Sequence, residues 1–135
     1  PKSLRVWFII HFFADYIAAI PIFLFPNQIL MLFGWKVIDP IAVRLVAAAF
    51  FAIGGASLIS IKSDVEVYKH LLALKIIWSL FAMGGILFTA FFQHIPLLGW
   101  ITLVIFAVFS SVWIYYYFIL PSVRGRKVKA EERSS

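Results

Sequence analysis

The chain contains no cysteine, which excludes a disulfide scaffold, a thiol nucleophile, an iron–sulfur cluster and a cysteine-ligated zinc. Charge is scarce as well: 13% of its 135 residues are charged, against about a quarter in an ordinary soluble domain. It also lacks a G-x-S-x-G elbow, a glycine-rich phosphate loop after a strand, and paired carboxylates at the edge of an apolar run, so enzymatic activity is not expected. Asp64 and Glu66, in KSDVEVYKH, read as solvated loop residues. The three histidines are too dispersed to ligate a metal or haem together: His70 and His94 fall at opposite ends of one apolar segment, and His11 lies elsewhere. No metal or other cofactor is read from the sequence.

What the chain has in excess is apolar surface. Hydrophobic residues make up 64% and aromatics 19%, and the mean hydropathy is +1.01. A soluble domain of this length has too little interior to hide that much, whereas a bilayer does not require it hidden. Four segments are long and apolar enough to cross, given that a spanning helix needs about 20 residues. They run from about Leu4 to Phe25, Ile41 to Ile61, His70 to Phe92 and Leu97 to Leu120. Helices are expected, because lipid offers no partner for an unpaired backbone group. The alternation of a membrane barrel is missing. The predicted fold is therefore all-α: a polytopic bundle of four antiparallel transmembrane helices. Residues 1–123 form a single domain, followed by a basic tail, 124–135. The first segment holds Asp15 and Pro21, ends at Pro26 and lacks a clean cleavage site, so it reads as a true span and not as a leader.

The connection NQILMLFGWKVIDP is too short to cross and is rich in Ile, Leu, Phe and Trp, which predicts a short helix or turn lying in the interface. Pro26 ends the first span, and Asp39 precedes Pro40 as a cap before a first-turn proline. Basic residues set the orientation. Lys2, Arg5, Lys62, Lys69, Arg124, Arg126, Lys127, Lys129 and Arg133 flank one side, and Lys36 alone flanks the other. The positive-inside rule predicts a multi-pass protein of the cell membrane with both termini in the cytoplasm. Five of the basic residues lie in the tail beside Glu131 and Glu132, which reads as a solvated end and not a nucleic-acid surface.

Two packing signals stand out. The pattern F-A-x-G-G occurs at Phe51–Gly55 and again at Phe81–Gly85. Gly54, Gly55, Gly84 and Gly85 are read as points where helix backbones approach, and not as traces of a duplication. Ala48, Ala52, Ala56 and Ser60 recur every four residues and make a smooth face on the second span, of the kind that packs helices in lipid.

The ionisable residues within the spans are His11, Asp15, Arg44 and Lys75. Arg44 and Lys75 lie near opposite interfaces, where long side chains snorkel to water. Asp15 lies near the midplane on a short side chain. Three outcomes are open to it: neutral and hydrogen-bonded to Ser57, Ser79 or Ser110; paired with Arg44 or Lys75; or lining a wet cavity that exchanges protons or cations. Intramembrane acids are rare and usually mark a pathway. His11, one turn away, is either a satisfied core histidine or part of a proton relay. The face His11, Asp15, Ala18 and Ile22 is predicted to point inward.

The run P-N-Q-I-L-x-L-F-G-W-x-x-x-D-P-x-x-x-R-L, from Pro26 to Leu45, with the glycine-rich span after it, resembles a loose group of uncharacterised small four-helix bacterial and archaeal membrane proteins. The resemblance implies a fold and no activity. In size, and in having an acid on its first helix, the chain is also similar to small multidrug resistance transporters, with Asp15 where they carry a glutamate and without their later motifs. Two functions follow as expectations. One is a transporter-like protein for a small lipophilic or cationic solute, with Asp15 as its ion-coupling site, acting as a dimer. The other is a non-catalytic accessory or lipid-interacting module whose smooth second helix packs a partner.

Overall fold

Prolines and caps divide the apolar sequence into helices where a bilayer-spanning chain needs to turn. The structure, a computed structural model, describes residues 2–121 and 123–135, excepting the side chains of 123–127. Helix α1 (Lys2–Leu24) runs through Pro21 and ends where Pro26, which has no N–H to give, opens the short helix α2 (Pro26–Leu32). Gly34 closes α2. Its φ of 96° lets the amides of Gly34 and Trp35 return to the carbonyls of Met31 and Leu30, at 3.1 and 3.0 Å. Asp39 then caps α3 (Pro40–Ile59): its Oδ1 accepts from the amides of Ile41 (2.9 Å) and Ala42 (3.4 Å). A 3₁₀ turn, Ser60–Lys62, leads to α4 (Val65–Phe92), a four-residue connection leads to α5 (Leu97–Ile119), and α6 (Val123–Ser134) carries the tail. The side chains of Arg124, Arg126 and Lys127 in that tail lie outside the described residues.

The predicted spans match α1, α3, α4 and α5, with one shift. Helix α4 starts at Val65 and not at His70, because Asp64 takes the N-cap position and Glu66 lies in the first turn, where a negative charge suits the helix dipole. The KSDVEVYKH stretch is thus largely helical. With 28 residues, α4 is about 42 Å long at 1.5 Å per residue, more than a hydrocarbon core requires.

Helix α1 packs closely against α3, and α4 against α5. Side chains, not backbone approach, join the two pairs. At the end that carries the termini, Leu4 and Phe8 of α1, Tyr68 and Leu72 of α4, and Trp113, Tyr116 and Leu120 of α5 form one buried cluster. Elsewhere the molecule is inside-out by the standards of a soluble protein. Ile17, Phe81, Phe88, Phe91 and Phe118 are each at least 70% exposed, while His11, Asp15 and Lys75 are buried. Water disfavours such an arrangement and lipid favours it. Among the described residues, four helices are long and apolar enough to cross a membrane. The chain is an all-α, multi-pass membrane protein.

Candidate functional site

Five residues of α1 are buried: Leu4, Phe8, His11, Asp15 and Ala19. They recur at steps of three and four, so they form one stripe. The lower two are apolar and the middle two ionisable. Asp15 faces α3, and the approach there depends on Gly54. A Cβ at Gly54 would fall 2.9 Å from the Asp15 Cβ, closer than real Cβ atoms come, and 3.0 Å from its Oδ2. One residue on, a Cβ at Gly55 would fall 3.0 Å from the Tyr16 hydroxyl, which donates to the Phe51 carbonyl at 3.3 Å.

From the other helix pair, Lys75 of α4 reaches across to the same stripe. Its Nζ lies 3.0 Å from His11 Nδ1, and the side chain is 1% exposed. The rings of Phe8 and Trp113 flank the ammonium, with centroids at 5.2 and 5.1 Å, and offer it their π faces in place of water. His11 in turn packs edge-on to Phe109 and Trp113. Its Nδ1 is also 3.1 Å from Asp15 Oδ2, close enough for an ion pair but not aligned as a hydrogen bond. One ring nitrogen therefore lies between an ammonium and a carboxylate. At any moment Nδ1 has either a proton or a lone pair, so it serves one neighbour at a time. With a lone pair it accepts from Lys75, and with a proton it donates toward Asp15. The arrangement sets one imidazole nitrogen within 3.1 Å of both the Lys75 amino group and the Asp15 carboxyl.

Among the described residues, three buried side-chain polar atoms have no hydrogen-bond partner: Asp15 Oδ2, Ser110 Oγ and Trp113 Nε1. Ser110 differs from four other hydroxyls in the helices. Ser57, Thr89, Thr102 and Ser111 each donate to the carbonyl four residues back, at 2.7–2.8 Å, and Ser110 does not. Ser79, one turn from Lys75 on α4, is also buried. Among the described residues, no group of three or more His, Asp or Glu side chains is placed to hold a metal.

The sequence-predicted residues thus separate. His11, Asp15 and Lys75 come together, and Arg44 does not join them. Arg44 is exposed, and its Nε donates to the Phe23 carbonyl at 3.0 Å, a group that the break before Pro26 leaves without a helical partner. Lys75 does not snorkel. Helix α4 begins five residues earlier than the hydropathy alone indicates, and the Lys75 side chain turns inward onto His11 instead of toward that end. Ala18 is exposed and Ala19 takes the inward position, because the stripe follows α3, which meets α1 at Asp15 through Gly54. Ile22 is half-buried.

On α3 the inward positions are Ala47, Gly54, Ser57 and, at its end, Ser60. Ala48 and Ala52 face outward, and Ala56 is half-buried. Gly84 and Gly85 meet nothing within 4 Å. Phe8 and Trp113 carry no signal of their own as apolar residues in apolar spans. Only their three-residue spacing from His11 and Ser110 marks them. Comparison with protein-family models, curated proteins and solved structures finds no match to this chain.

Proposed function

We propose that this protein is a small proton-coupled, transporter-like protein of the cell membrane, with His11, Asp15 and Lys75 as its intramembrane proton site and both termini in the cytoplasm. The observation that carries the reading is the placement of Lys75. A lysine able to escape to an interface instead points into the bundle, onto an imidazole that also touches a carboxylate. A purely structural core is generally as stable or more so with apolar residues at such positions, so three ionisable groups together at this depth favour a chemical role. In the proposed cycle Lys75 gives a proton to His11 Nδ1, the imidazolium passes one on to Asp15, and the cycle closes when Asp15 releases its proton to water and Lys75 takes one up from water. The cluster's charge is thereby redistributed, and the loaded carboxyl is neutral. A small lipophilic cation is the solute class suited to a site that alternates between charged and neutral carboxyl.

The test is flux in proteoliposomes, read with an entrapped pH dye under a pH gradient, with and without tetraphenylphosphonium. Asp15→Asn and Lys75→Met are expected to reduce protein-dependent proton flux to that of protein-free liposomes, with the proteins still eluting as the unaltered chain does. Wild-type flux in Asp15→Asn sinks the reading.

A second reading, that of an accessory or lipid-interacting module forming homodimers or binding another protein, draws on the outward position of Ala48 and Ala52, a smooth strip on the surface of the bundle. It predicts that Ala52→Leu lowers the oligomer mass measured in detergent while Asp15→Asn leaves it unchanged. An unaltered mass in Ala52→Leu removes it.

A further inference from the structure

The ionisable cluster lies between two layers of unequal strength. Toward the terminal end, one turn from His11, Lys75 and Ser110, lie Phe8, Leu72 and Trp113, with Leu4 beyond them, and each is 0% exposed. Phe8 meets the rings of Tyr68 and Trp113 at 4.9 and 5.7 Å, so this side is sealed by a continuous apolar plug. Toward the opposite end, one turn from Gly54, Lys75 and Ser110, lie Phe50, Trp78 and Phe106. They are only half-buried, and Phe50 stands 6.3 and 6.4 Å from the other two. Beyond them α4 buries no residue from Leu80 to Phe92, and α5 buries only Gly99 between Leu97 and Phe109. Phe50 of α3 thus reaches from one helix pair to a ring on each helix of the other. Asp15 Oδ2 and Ser110 Oγ, both buried without a hydrogen-bond partner, belong to the next turn toward the termini, Asp15 against Gly54 and Ser110 one turn from Phe106.

We infer that the His11–Asp15–Lys75 cluster communicates with the side of the membrane away from the termini, and that the Phe50 ring, seated against Trp78 and Phe106, is the gate on that route. Rotating one aromatic side chain off two rings is a smaller rearrangement than parting the fully packed layer of Leu4, Phe8, Leu72 and Trp113. Water, hydronium and small polar cations are the species such an opening admits. This extends the proton-site reading by giving it a side, and its test requires no flux.

The chain's lack of cysteine makes it a ready background for thiol labelling. Ser110→Cys is reconstituted in liposomes and exposed, from each side separately, to a charged methanethiosulfonate that does not cross the bilayer. Orientation is read from Ser135→Cys in parallel. The expected result is reaction from the side away from the termini, at least about tenfold faster when Phe50→Ala is added, and no reaction from the terminal side. Phe106→Leu is the alternative opening variant should Phe50→Ala fail to fold. Phe8→Ala, which thins the other layer, is expected to admit the reagent from the terminal side. Reaction of Ser110→Cys from the terminal side with Phe8 intact overturns the proposal. So does a rate unaffected by both Phe50→Ala and Phe106→Leu. Labelling as expected beside unchanged flux in Asp15→Asn would leave the gate standing and remove the transport reading.

Discussion

The two F-A-x-G-G segments are nearly the same in sequence and opposite in use. In the first, Phe51 packs edge-on to Tyr16 and Phe23, at 5.0 and 5.8 Å, and Gly54 is buried against Asp15. In the second, Phe81 is 78% exposed, and Gly84 and Gly85 face open space. The first pair lies where α3 meets α1, and the second lies on a face of α4 where, among the described residues, nothing comes within 4 Å of either added Cβ. A double glycine permits close approach, and a neighbour has to arrive for the permission to matter. At Gly54 the neighbour is the acid itself. The missing Cβ is what leaves room for Asp15 to turn into the bundle and stand beside His11.

The comparison breaks most readily at Gly54. Gly54→Ala places a methyl against the Asp15 Cβ, which is fixed to the backbone of α1, so the helices must separate. A destabilisation of about 1–3 kcal/mol is expected, read as a fall in the unfolding free energy in a mixed-detergent titration. An unchanged free energy would remove the close approach. The Asp15→Gly change should absorb much of that loss when combined with Gly54→Ala. A double-mutant cycle is expected to show coupling within the range of about 0.5–3 kcal/mol, and strict additivity would mean that the two positions do not touch.

Gly55→Ala is the intermediate case. Its methyl meets only the tip of Tyr16, which swings aside and gives up its bond to Phe51, a loss of about 0.5–1.5 kcal/mol. The gain in helix propensity of up to about 1 kcal/mol offsets part of this. Tyr16→Phe should then remove most of the effect of Gly55→Ala, measured by the same titration. Gly84→Ala and Gly85→Ala come last. Each is expected to be neutral or stabilising by up to about 1 kcal/mol, since nothing lies where the methyl goes. A clear loss of stability at either, dependent on protein concentration, would show that a second copy covers this surface.

The spans, the short helix after Pro26 and the cap at Asp39 are all legible before folding, because each rests on local chemistry: apolar length, a missing amide, a carboxylate ahead of free amides. The boundary that differed was the start of α4. Asp64 and Glu66 read as loop, yet one takes the N-cap position and the other lies in the first turn. What keeps Lys75 from water is the direction of its side chain, which turns onto His11 beside the rings of Phe8 and Trp113. Depth along a span also located Asp15 correctly as a residue that must face protein. Which residue it faces depends on the rotation of α1 and on the neighbour that Gly54 admits, and neither is encoded in a hydropathy pattern.

Taken alone, the sequence determines that this chain lives in a bilayer, that it crosses four times, and that His11 and Asp15 share one face of the first helix. Those properties follow from composition and from the 3.6-residue period. Tertiary structure alone decided that Lys75 joins that face while Arg44 is held at the end of α1. It also decided that Gly54 and not Gly84 receives a neighbour, and that the cluster is sealed more heavily on one side than the other. The reason is that lipid provides no hydrophobic push to rank the faces of an apolar helix. Their order is set by shape, by the few polar groups that must find one another, and by which small residues happen to lie opposite them.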